Sequence, residues 1–297
     1  MRPTPAYEGA EPGSATAPGT FPCAALQRIG RAATVALYDE LALAPKPGLV
    51  SLADSGSHAD MDARTFLRSL FALRHYFVQI ATLGWQRAPF AALEACGIAA
   101  EGRMLAATGG ANTHRGAVFT LGLLCASAGA ALRDGPGAPS PAVLRHRLHR
   151  HWGAALALRS HRSTGLPGSI AAQRHGLRSA SQEAAAGFPT LFEQVVPALS
   201  AGLRRGLTAE QARIDALFHA MAVLDDTNLV HRGGMAGLRD AQQAARDYLA
   251  AGGAARAGGQ EAAWALHRAF VARRLSPGGA ADTLSAACWV VRVCDGV

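Results

Sequence analysis

The feature that most restricts the fold is an apolar spacing of three or four residues. It recurs along the chain, with no two-residue alternation to compete with it. In the first such stretch Leu26, Ile29, Ala33, Leu37 and Leu41 share one helical face, while Arg28, Arg31 and Asp39 lie mostly off it. A second helix is expected over 64–83, capped by Asp62, with Phe66, Leu70, Phe71 and Phe77 as its apolar contribution. Others are expected over 89–107, over 117–132, and over 190–205 with Pro197 as a kink. The pair Thr208 and Gln211 resembles a capping box opening a helix that ends in a polar break at 225–234. Helices over 238–249, 261–274 and 281–293 complete the chain. Val and Ile are sparse and aromatics only 6%, which disfavours sheets. The expectation is therefore all-α: a single multi-helix domain over 21–297, with at least eight helices and an active-site cleft lined by polar loops. Residues 1–20, rich in Pro, Gly, Ala and Thr, read as a disordered leader.

Several function classes drop out. The formal charge of +8 does not argue for nucleic acid, because Lys46 is the only lysine and the arginines are scattered. A small polyanionic substrate would be served equally well. The basic run from Arg145 to His151 reads first as a solvated helix face and second as a phosphate-facing surface. The five cysteines show no CxxC pairing and read as reduced, buried thiols of a cytoplasmic protein. The N-terminus has no apolar signal region, and 117–132 is too short and too rich in Gly and Ser to span a bilayer, so no membrane is expected. P-loop, strand-bounded GxGxxG, HExxH and GxSxG patterns are absent.

The chemistry concentrates in the breaks. Between Glu40 and Asp62, Pro45, Pro47 and Gly48 forbid a regular helix and hold Lys46 between two prolines. His58, Asp60 and Asp62 follow, with His58 and Asp60 spaced as an acid–base pair. Two later breaks look alike: Asn112-Thr113-His114-Arg115-Gly116 and Asn228-Leu229-Val230-His231-Arg232-Gly233. Each offers an amide, an arginine fork for phosphate oxygens and a glycine allowing close backbone approach; the plainer alternative is a polar helix C-cap. Carboxylates number only 21, so the pairs Asp60/Asp62 and Asp225/Asp226 are informative. Such groups bind Mg²⁺ shared with phosphates, activate a hydroxyl, or stabilise positive charge at a sugar carbon.

Six segments, in order, carry a resemblance: PKPGLV at 45–50, GSHADMD at 56–62, Glu101 to Thr108 with NTHRG at 112–116, EAAAGFP at 183–189, DDTNLVHRGG at 225–234 and SPGGAAD at 276–282. Together they resemble the triphosphoribosyl-dephospho-CoA synthase family, whose two branches serve malonate decarboxylase and citrate lyase. The resemblance implies a helical transferase. It joins the triphosphoribosyl group of ATP to the 2'-hydroxyl of 3'-dephospho-CoA and releases adenine. Its product passes through a holo-transferase to an acyl carrier protein. The chain's length, with no fused transferase domain, leans towards the malonate branch. Glu40, Lys46, His58, Asp60, Asp62, Glu101, Asn112, His114, Arg115, Glu183, Asp226, Asn228, Arg232 and Gly233 fall on the family's polar signature positions.

With that chemistry, Asp60 or Asp62 is expected as base or oxocarbenium stabiliser, with His58 and Glu101 beside it. Lys46, Arg115 and Arg232 are expected on the triphosphate, and Asn112, His114, Glu183, Asn228 and Gly233 on the substrates. Asp225 and Asp226 are expected on Mg²⁺. One departure is Ser181, where the family carries an Arg; either Arg178 supplies that cation or the loop meets the substrate differently. The rivals are a helical ribosyl or nucleotide hydrolase and, from another class, a basic nucleic-acid-binding or regulatory protein. Ala-rich helix faces pack within or between subunits equally well, which leaves the oligomeric state open.

Overall fold

The computed structural model describes residues 22–295 other than Pro136, Ser163, Thr164 and Leu166; the expected leader lies outside them. Among the described residues the chain forms twelve α-helices and no β-strand, as the apolar spacing requires. The first five are α1 (Cys23–Ala42), α2 (Ala63–Trp85), α3 (Phe90–Thr108), α4 (Arg115–Asp134) and α5 (Pro141–Ser160). Two short helices follow, α6 (Pro167–His175) and α7 (Ala180–Ala185), then α8 (Val196–Arg204) and α9 (Ala209–Val223). The chain closes with α10 (Thr227–Ala250), α11 (Gly259–Ala272) and α12 (Gly278–Asp295).

The centre is α4. It has the length and mean hydropathy, 1.5, of a membrane span, yet 72% of its most apolar window is buried inside the protein. Helices α2, α3, α5 and α12 pack around it. The small residues that argued against a span allow this packing. A Cβ on Gly84 would come within 2.0 Å of the Ala126 carbonyl oxygen, and one on Gly129 within 2.0 Å of the Ala81 carbonyl oxygen. The α2 and α4 backbones therefore touch, a separation that alanine would already prevent. Trp289 of α12 is fully buried and donates its indole N–H to the Ile29 carbonyl, 3.1 Å away, tying the last helix to the first.

Local rules hold at the helix ends. Asp62 accepts from the Thr65 N–H as the N-cap of α2, and Thr208 with Gln211 forms a full capping box on α9. Pro197 lacks an N–H for the preceding turn, and the chain accommodates it with a π-helical turn over Thr190–Val195 leading into α8. Leu70 and Phe77 are buried as expected, but Phe71 faces outward at 57% exposure. Cys125 and Cys288 are buried, whereas Cys23 is exposed, so the expectation of buried thiols holds only in part.

The largest correction concerns 225–234. It is the start of α10, which runs helically from Thr227 until Gly234 breaks the geometry at φ 64° and ψ −169°. The Asp226 carboxylate accepts from the Asn228 and Leu229 N–H groups, and this N-cap starts the helix ahead of the two glycines. The segment 112–116 likewise leads into α4. Both repeated segments are helix starts, and neither is a C-cap.

Candidate active site

One cavity of about 840 Å³ opens among α2, α3, α4, α10 and α12. One half is apolar and takes Tyr76, Ile80, Leu93, Val118, Phe119 and Leu123 from α2, α3 and α4. The other half is polar and collects His58, Asn112, His114, Arg115, Asn228, His231, Arg232, Ser276 and Asp282. It lies where α4, α10 and α12 all begin. Helix starts carry unpaired N–H groups and a partial positive charge. Here carboxylates meet most of them. Asp226 accepts from Asn228 and Leu229 of α10 and from Gly279 and Ala280 of α12, so one side chain pins two helices. Asp282, one turn into α12, accepts from the Ala117 N–H of α4. His114, the residue at the α4 N-cap position, makes no side-chain cap bond of its own. A Cβ on Gly116 would come within 1.9 Å of Asp282 Oδ2, so only glycine lets that carboxyl sit against α4.

Burial raises both carboxyls. Burial pushes Asp226 up to about 6, even with its backbone hydrogen bonds pulling the other way. Asp282 is pushed well above the ordinary carboxylate range, first by burial and then by the negative charges of Glu40 and Asp226. Its remaining accessible surface belongs to the cavity wall.

Lys46 was expected on a triphosphate, and the structure corrects this. Its ammonium is buried, does not reach the cavity wall, and donates to Glu40 Oε1 at 2.5 Å and to the Glu40 carbonyl at 2.6 Å. Burial pushes Lys46 down and Glu40 up, and their mutual attraction opposes both shifts. It is Glu40 that lines the cavity, with Lys46 behind it.

Nor does the cavity wall include Asp60 or Asp62, expected as base or oxocarbenium stabiliser. Asp62 Oδ1 is taken by the Thr65 N–H and hydroxyl at 2.8 and 2.7 Å, and the Asp60 side chain is 65% exposed. Asp60 lies 3.7 Å from His58 Nδ1, too far for a well-formed acid–base pair. His58 is instead gripped by Arg232 at Nδ1 (3.0 Å) and Ser276 Oγ at Nε2 (2.9 Å). Burial and then the Arg232 charge push it below its ordinary value, so it sits neutral with Nδ1 accepting. Arg232 also donates to the carbonyls of Ser57 and Arg274 at 3.1 and 3.3 Å, clamping α10 onto the 40–62 loop.

The Mg²⁺ pair expected at Asp225 and Asp226 does not converge. Asp226 is committed to four N–H groups, and Asp225 accepts from the Arg178 N–H at 2.9 Å. Among the described residues no three His, Cys, Asp or Glu side chains gather as a metal site. Glu183 is buried and does not line the cavity. It accepts from the Thr190 N–H at 2.7 Å and from the Arg178 guanidinium at 3.2 Å. Arg178 thus supplies the cation beside Glu183, while Ser181 is on the cavity wall. Gly233 faces Leu275, whose Cδ2 would lie 2.4 Å from an added Cβ; it allows helix packing and leaves the cavity wall to its neighbours.

The NTHRG segment is in the site as expected. Glu101 pairs with Arg115 at 2.5 Å on the wall, and Asn112 Oδ1 caps the Arg115 N–H at 3.2 Å. His114 is buried, its Nδ1 2.6 Å from Ser69 Oγ, which Thr113 also reaches at 2.7 Å. Its Nε2 has no partner, and burial, aided by the Lys46 charge, pushes the ring down to about 3. The ring lines the cavity, while Nε2 itself is buried. The basic run of α5 is mostly elsewhere: Arg145 pairs with Glu193 and Arg147 with Asp134, and neither lines the cavity. Sequence reasoning missed Asp282 as a site residue, although it closes the SPGGAAD segment.

The fold and cavity define an all-helical protein with a cavity of mixed polar and apolar lining where three helices begin. The chain matches the ATP:dephospho-CoA triphosphoribosyl transferase (CitG) family over residues 26–296, and it belongs to that family. It is 39% identical over 276 residues to the 2-(5''-triphosphoribosyl)-3'-dephosphocoenzyme-A synthase of Pectobacterium atrosepticum, covering 87% of this chain and 85% of that one. A Klebsiella pneumoniae protein of the same description is 37% identical over 274 residues, 89% of this chain and 94% of its own. No solved structure matches the chain significantly.

Proposed function

We propose that this chain transfers the triphosphoribosyl group of ATP to the 2'-hydroxyl of 3'-dephospho-CoA and releases adenine. The observation that carries the proposal is the union of a polar and an apolar half in one cavity of about 840 Å³. That volume is near the upper end for a small-molecule site, as two nucleotide-sized substrates require. The apolar half suits the uncharged arm of dephospho-CoA. The polar half suits a triphosphate: Arg115 and Arg232 offer planar forks, and the Glu101 pairing and the His58 clamp fix their directions.

Magnesium enters as part of MgATP, the substrate. An ion held chiefly by triphosphate oxygens and water needs only one or two carboxylates from the protein. Glu101, on the wall beside Arg115, suits that contact. Cleavage of the C1''–N9 bond builds positive charge on the ribose, which a wall rich in carboxylates favours.

With ATP, Mg²⁺ and 3'-dephospho-CoA the chain should yield the acceptor plus one triphosphoribosyl group, with an equal amount of adenine, by mass spectrometry. Adenine released equally fast without the acceptor would make the chain a ribosyl hydrolase instead. The proposal extends to service of malonate decarboxylase, through a holo-transferase acting on its acyl carrier protein, in the cytoplasm where both substrates occur. The adjoining genes test that branch: a citrate lyase cluster overturns it.

A further inference from the structure

Four carboxyl side chains line the cavity: Glu40, Glu94, Glu101 and Asp282. Three are matched to a cation, Glu40 to Lys46, Glu94 to Arg159 and Glu101 to Arg115. Among the described residues Asp282 makes no ion pair and accepts only the Ala117 N–H. Its position is nonetheless closely built. The lack of a side chain at Gly116 admits its Oδ2 against the first turn of α4. Asp226 accepts from Gly279 and Ala280 and so fixes the turn of α12 from which Asp282 projects. Its charged neighbours are Glu40 of α1 and Asp226 at the start of α10.

We propose that Asp282 is the acid of the reaction: its carboxyl donates a proton to the departing adenine from the point where α12 meets α4. This rests on the transferase function proposed above. In the step, the 2'-hydroxyl oxygen bonds to C1'' of the ATP ribose as the C1''–N9 bond breaks. The electron pair of that bond goes to the purine, and a purine ring nitrogen takes the proton of Asp282. The hydroxyl proton leaves to water, and Asp282 regains one from water before the next turnover. The carboxylate left behind faces the developing positive charge on the ribose while it forms. A carboxyl that faces the cavity without a cation, its protonated form favoured by burial and by Glu40 and Asp226, is ready for this task, as a cation-paired one is not.

The test compares two leaving groups. Ordinary adenine needs a proton to depart, whereas the purine of N7-methyl-ATP carries a positive charge and does not. Asp282→Asn is isosteric and keeps an oxygen for the Ala117 N–H. It should lower acceptor-dependent adenine release from ATP by about 10²–10⁴-fold. With N7-methyl-ATP its loss should be within about tenfold, ATP affinity should stay near wild type, and the thermal midpoint should not fall. An equal loss with both nucleotides, or wild-type adenine release by Asp282→Asn, would overturn the assignment and leave the transferase proposal standing. Wild-type protein that makes no triphosphoribosyl product would bring down both.

Discussion

Asp226 and Asp282 are two carboxyls at adjoining helix starts, both surrounded by protein, and they do opposite things. Asp226 accepts four backbone N–H groups and joins α10 to α12. Asp282 accepts one, faces the cavity and has Glu40 and Asp226 as negative neighbours. The number of donors aimed at a buried carboxylate decides whether it is a structural pin or a proton carrier. Sequence alone makes the pair Asp225/Asp226 look reactive and Asp282 look incidental; hydrogen bonding reverses the ranking.

The comparison is broken most severely behind the cavity wall. Lys46→Met leaves Glu40 buried without its cation and should cost about 3–5 kcal/mol in urea unfolding. Adding Glu40→Gln to Lys46→Met should recover part of that loss. Next in size is Asp226→Ala, which strips the acceptor from two helix starts and should destabilise the fold by about 2–4 kcal/mol. At about pH 4 and below, Asp282→Asn should change stability by less than about 1 kcal/mol, because a single N–H is involved and the amide still accepts it; at higher pH it should stabilise, since the wild-type carboxyl must take up a proton to fold.

The pH dependence of stability sharpens the same contrast. The folded Asp226 pKa of about 6 lies above the ordinary aspartate value of 3.8, so between these values the folded state holds more protons than the unfolded state. The contribution of Asp226 is therefore fully present below about pH 4 and is lost as pH rises through about 6. It amounts to about 3 kcal/mol and is read as the change in urea midpoint between those pH values. Asp282 pushes in the same direction, so Asp282→Asn should flatten the dependence without removing it. The smallest effect is expected at Asp60→Asn. That side chain is 65% exposed and off the cavity wall, so acceptor-dependent adenine release should stay within about threefold of wild type.

The helices were legible because their signal is local: spacing, caps and proline positions act within one or two turns. Asp62 and the Thr208/Gln211 box sit where such rules put them. Glu101, Asn112, His114 and Arg115 were legible too, since their segment leads straight onto the cavity wall. The place of Lys46 was not. Whether a cation meets a ligand or a carboxylate depends on contacts such as Glu40 to Lys46, which form only when the chain packs. Asp282 was hidden for the same reason. Its environment comes from α1, α4 and α10, and nothing beside it in the chain announces it.

The most direct measurement takes acceptor-dependent adenine release and urea midpoint together for Asp226→Asn and Asp282→Asn. An amide at 226 keeps one acceptor oxygen but turns a donor towards neighbouring N–H groups, so that variant should lose stability first. Asp282→Asn should keep or raise its midpoint and lose adenine release by at least about a hundredfold. A folded Asp282→Asn protein turning over at the wild-type rate would contradict the division of labour between these two carboxyls.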